Sequence, residues 1–305
     1  MRNACSVLFA AMMTLASQAE PARLTVVDGV DARGAATELW LAMTQRFVAA
    51  EPSTTAPPRP WTPTDLAWRE LIRSRLAVWE SEIANLEAPF APIIVRDDVR
   101  LVLGNQRGED AFTHDPRTIG FDLARLQSEY GDATTPENVQ RMDRFFRHEY
   151  THLLQKAWLA EHPYAADTPL RSALLGMWTE GVGNYYSLSS RWRNAGGTPS
   201  EIALQARAEL EPRLLARLGA LACAPPSSTA QLTAGLSMGP FAKKWGALPV
   251  ALWLDEAMRR SPDALRKLIA AGPDDVWRIA GESLSSEGRI VLREIQSTAA
   301  LCSAK

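Results

Sequence analysis

The chain has 305 residues, 46% of them apolar, with a formal charge of −2 at neutral pH. That apolar content is ample for one large core or two modest ones. The near-balanced charge, with no basic patch interleaved with aromatics, argues against nucleic acid as a partner.

The N-terminus carries Arg2, an apolar run from Cys5 to about Ala16, and small residues at Ser17 and Ala19. This is the pattern of a signal peptide over residues 1–19, cut near Ala19, and the run is short for a membrane span. No other segment has the length of a transmembrane helix, so the mature protein is expected to be soluble and exported to the periplasm or the medium. Two cysteines then remain, Cys223 and Cys302, which can pair in an oxidising compartment; no C-x-x-C spacing marks either as a metal ligand.

Residues 20–90 read as an N-terminal helical segment. Leu39, Leu41, Met43 and Phe47 suggest a first helix, and Glu51 to Thr64 holds five prolines and reads as an extended loop. Thr62-Pro63-Thr64-Asp65 starts a second helix whose apolar face runs through Trp68, Leu76, Trp79 and Ile83 to about Ala88. The character changes at Ala91. Pro92–Val95, Val99–Leu103 and Thr118–Leu123 are β-like runs that predict a small sheet. It serves either as an edge along which an extended peptide adds a strand or as packing for the helix that follows.

Thr134-Thr135-Pro136-Glu137 gives a helix cap, a first-turn proline and an early acid. The helix contains His148-Glu149-Tyr150-Thr151-His152, an H-E-x-x-H motif. Residues four apart share a helix face, so both imidazoles can grip one metal ion, with Glu149 beside it as general base for a water the ion acidifies. A catalytic zinc needs a third protein ligand, and no cysteine is placed to supply it. The extended motif with a third histidine is absent, because Gln155 and Trp158 stand where its glycine and histidine would be. A helix beginning near Thr168-Pro169 offers Glu180 instead, followed by Gly181 and Gly183, which permit close approach to the metal helix. Asn184, one turn on, can hydrogen-bond the distal nitrogen of a metal-bound histidine. Helices are also predicted over 202–218, 247–260 and 262–271.

His148-Glu149-Tyr150-Thr151-His152-Leu153-Leu154 with Trp178-Thr179-Glu180-Gly181 and Asn184-Tyr185-Tyr186 resembles the gluzincin zinc metallopeptidases. More narrowly, it is similar to the catalytic domain of the glycyl-aminopeptidase family, and the likeness extends to Trp245–Arg259 and Ala264-Leu265. The resemblance spans roughly Pro136 to Leu268. It implies an α+β, mostly helical fold: a thermolysin-like zincin core over 91–192, with a small sheet and the metal helices, then a helical C-terminal subdomain over 193–305. It implies Zn2+ held by His148, His152 and Glu180, Glu149 as general base, and peptide or protein substrates. Two departures stand out. No PDZ module, common in the family, is read here. The tyrosine that holds the oxyanion some sixty residues after the third ligand is replaced by Phe241 and Trp245, which leaves Tyr185, Tyr186, His114 or His162 as candidate stabilisers and a catalytically weak or inactive binding protein as the alternative reading.

Overall fold

The computed structural model describes residues 22–50, 57–93, 95, 98–106 and 108–303, so the expected signal peptide lies outside the described residues. Helix dominates, and the strands gather in one four-stranded sheet, so the chain is α+β and mostly helical. The strands are β1 (Leu24–Asp28), β2 (Val99–Gly104), β3 (Ala111–Thr113) and β4 (Thr118–Asp122), in the order β1-β2-β4-β3. The first three in that order are parallel, and β3 closes the sheet as a short antiparallel edge strand, with Phe112 opposite Gly120.

Two features differ from the sequence expectation. The N-terminal segment is not wholly helical, because Leu24-Thr25-Val26-Val27 carries β1, which pairs Leu24 with Val99. Among the described residues of the run at Pro92–Val95 there is no strand; Ile93 and Val95 are buried in the core, and Ile94 lies outside the described residues.

The helices are α1 (Glu38–Ala50), α2 (Pro63–Glu87), α3 (Leu123–Tyr130), α4 (Pro136–Glu161), α5 (Pro169–Ser187), α6 (Glu201–Leu221), α7 (Thr229–Thr233), α8 (Ala247–Arg260), α9 (Ala264–Ala271), α10 (Val276–Ser283) and α11 (Ser286–Ser303). Alternation along the strands splits the core. Val102 and Phe112 face Trp40 and Met43 of α1, while Leu101, Leu103, Ile119 and Phe121 face α2 and α4 in the main core. The longest elements start where the sequence signals them. Thr62 and Asp65 form a capping box on α2, and Thr135 and Thr168 accept from the third-residue amides of α4 and α5.

One side of α4 is fastened to α2. Trp79 stacks on Phe146 with ring centroids 4.7 Å apart and planes 2° from parallel. Asp143 accepts from the Trp79 indole N–H at 2.8 Å and from Arg75 at 2.9 and 3.0 Å. Arg147 clasps Glu82 through two hydrogen bonds, and the Tyr150 hydroxyl donates to Glu87. These anchors fix the helix's rotation, turning His148 and His152 towards α5. Behind α5 lies α8, whose Val250 occupies the space a side chain at Gly181 would need. Cys223, after α6, is bonded to Cys302, in α11, with Cα atoms 5.6 Å apart, so the pairing open to them in the sequence is made. Among the described residues no helix is long and apolar enough to cross a membrane.

Candidate metal centre

His148, His152 and Glu180 converge, as their spacing predicts. Their ligand atoms lie within 4.8 Å of one another. The two Nε2 atoms are 2.9 Å apart, Glu180 Oε2 is 3.8 Å from His148 Nε2, and Glu180 Oε1 is 3.7 Å from His152 Nε2. Ligands about 2.0–2.1 Å from a tetrahedral ion stand roughly 3.3 Å apart, so this triangle has the size and donor set for a small divalent cation. Gly183 makes room for it, because a Cβ there would lie 2.9 Å from His148 Cε1.

The distal ring nitrogens are held by residues other than the one expected. Gln155 donates its amide N–H groups to the carbonyls of Trp178 and Thr179 at 3.3 and 3.1 Å. Its Oε1 is thereby left to accept from His152 Nδ1–H at 2.9 Å. That choice of tautomer leaves a lone pair on His152 Nε2, which faces the other ring. His148 Nδ1 stands 3.1 Å from Ser187 Oγ, and the Gly183 backbone is a further hydrogen-bond partner of the ring. Asn184 does not take this role: it is buried, and its amide nitrogen has no hydrogen-bond partner among the described residues. Position in the helix correctly put Asn184 one turn from Glu180. The missed signals are Gln155, three residues after His152, and Ser187, seven after Glu180 and again on its face.

Burial sets the protonation of the group. It pushes the His148 pKa well below its ordinary value, with help from the charges of His152 and Lys244 and against the Gly183 hydrogen bond. His148 is therefore a neutral donor at neutral pH. Burial pushes the Glu149 carboxyl well above the usual carboxylate range, reinforced by Glu180, Asp110 and Glu109 and opposed by Lys156. Glu149 is only 7% exposed, and its carboxyl makes no hydrogen bond among the described residues. Lys156, on the same side of α4, reaches Thr113 Oγ1 of β3 at 2.8 Å, which ties the metal helix to the edge strand.

The candidate oxyanion groups are scattered. Tyr185 and Tyr186 line an open cleft of about 580 Å³ between α2, α4 and the end of α5, which none of the three ligands lines. His162 caps α4 and stacks on Trp158, and His114 is exposed at the end of β3. Trp245 is buried, with its indole N–H donated to the Ala234 carbonyl, and Phe241 packs on Trp192. Comparison of the chain with protein-family models, with curated proteins and with solved structures finds no match.

Proposed function

We propose that the chain is an exported zinc-dependent metallopeptidase of gluzincin type, with a thermolysin-like core and a signal peptide removed near Ala19. The observation that carries this reading is a buried Glu149 carboxyl, without a hydrogen-bond partner among the described residues, beside two imidazoles and a carboxylate that converge. Bound zinc supplies Lewis-acid polarisation of the scissile carbonyl and acidification of a water. Glu149 accepts a proton at its carboxylate and returns it to the leaving amine. The peptide lies along the edge strand β3, beside Lys156 and Thr113, with its backbone paired as an added strand.

Glu149→Gln tests the assignment, because it keeps the ligands and removes the base. Full metal content with loss of chelator-sensitive peptide cleavage is expected; unchanged cleavage refutes the role. His148→Ala should lose metal and activity together, and normal zinc content in that variant sinks the ligand assignment.

A second reading, a gluzincin-like binding protein with weak or no turnover, is favoured by one observation. Phe241 and Trp245 offer no hydroxyl where the resemblance puts a tyrosine, and Trp245 spends its one side-chain donor on Ala234. Loss of one oxyanion donor typically costs on the order of a hundredfold in rate. Incubation with a broad peptide library separates the two readings: cleavage abolished by a chelator supports the peptidase.

A further inference from the structure

The cleft that holds Tyr185 and Tyr186 contains a charge the metal centre does not use. Three guanidinium groups reach its wall. Arg147 is matched by Glu82, with bonds of 2.9 and 2.6 Å, and Arg193 by Asp255 at 2.7 Å. Asp143, also in the wall, is taken up by Arg75 and the Trp79 N–H. Arg144 is left over: half-buried, it has no hydrogen bond or salt bridge among the described residues. Burial, reinforced by Arg141 and Arg147 and opposed by Glu137 and Asp143, pushes its pKa below the ordinary arginine value. A partly desolvated cation whose donors meet no carboxylate directly is costly in a folded chain, and a bound anion reduces that cost.

The rest of the cleft suits the body of such a ligand. Tyr185 and Tyr186 meet nearly edge to face with centroids 5.2 Å apart, and Leu86 and Leu188 continue the apolar wall. Neither tyrosine hydroxyl has a hydrogen-bond partner among the described residues, and Ser189 and Ser190 add hydroxyls at the rim.

We propose that this cleft binds an oxyanion, carboxylate or phosphate, on the guanidinium of Arg144, with an apolar flank of the ligand against Tyr185 and Tyr186. Paired N–H donors of a guanidinium match the two oxygens of either anion, and a single unpaired guanidinium selects one anionic group over a polyanion. None of the three metal ligands lines the cleft, so the anion is held without becoming a ligand of the ion.

Calorimetric titration tests this with N-acetyl-alanyl-phenylalanine, its C-terminal amide and inorganic phosphate, each against the full chain before and after treatment with a chelator. Binding of the free acid, of phosphate or of both is expected, unchanged by chelation and weakened by added salt, with the peptide amide at least tenfold weaker than the acid. The acid alone identifies a carboxylate ligand, and phosphate alone a phosphate ligand. Arg144→Gln should weaken anion binding at least tenfold at unchanged metal content, and Arg144→Lys should fall between. Absence of binding, equal binding of acid and amide, loss on chelation, or an unaltered Arg144→Gln protein overturns the proposal. Should Arg144→Gln fail to fold, the acid-against-amide comparison and Arg144→Lys still decide.

Discussion

Replacing Gly183 with alanine separates the metal centre from the stability of the fold. The added Cβ would lie 2.9 Å from His148 Cε1 and 3.1 Å from both ring nitrogens. Comfortable carbon contacts begin near about 3.5 Å, so the ring must retreat by roughly 0.5 Å, more than the ~0.2 Å that a metal site tolerates. Alanine in a helix is worth about 1 kcal/mol over glycine, while crowding costs roughly 1–3 kcal/mol, less where a ring can turn aside. The two largely cancel, and the melting temperature of chelator-treated protein should change little. Metal affinity should fall on the order of 10–100-fold, the loss typical when a ligand's orienting contacts are disturbed, or about 1.4–2.7 kcal/mol. Competition against a chromophoric chelator measures this directly. Gly181→Ala is the contrast: its Cβ would lie 2.4 and 2.6 Å from Cγ1 and Cβ of Val250, a stiff branched residue, so α5 and α8 must part, and even after the helix-propensity gain stability should fall by about 2 kcal/mol. A Gly183→Ala protein with wild-type metal affinity refutes the placement of His148 as a ligand.

Gln155→Leu removes the acceptor that fixes the His152 tautomer and should lower metal affinity on the order of 10–100-fold; a binding isotherm like the wild type's would contradict this. In chelator-treated protein, Glu149 favours its protonated form when folded, so it costs stability as pH rises above the ordinary carboxylate value of 4.5. Glu149→Gln lacks that proton equilibrium and should exceed the wild type in stability at pH 7, by a margin that shrinks towards pH 4; urea melts at both pH values check the sign. Reduction of Cys223–Cys302 opens a loop with a sequence separation of 79 residues and should destabilise the chain by up to about 4 kcal/mol, read as a lower melting temperature with a thiol reductant.

Local signals were legible and long-range ones were not. Thr135 and Pro136, Thr168 and Pro169, and the capping box at Thr62 each mark a helix start that the fold uses, because a cap is settled within four residues. The histidine pair and Glu180 were readable for the same kind of reason, through helical spacing within α4 and glycines that permit close approach of α5. β1 was overlooked because its strand character is completed only by pairing with β2, across α1 and α2. β3, at three residues, is too short to leave a pattern. Asn184 was misjudged because helical position gives a face and not an axial reach: Ser187, not Asn184, stands at hydrogen-bond distance from His148 Nδ1.

One side-chain amide, that of Gln155, grips the last carbonyls before Glu180 with its nitrogen and steers His152 with its oxygen. The bite of the chelate is thus set before any cation arrives, and α4 cannot slip along α5 without spoiling it. A cage whose aperture is fixed in this way discriminates by ionic radius, so calcium, which prefers six to eight oxygens at about 2.3–2.6 Å, should be turned away even in large excess.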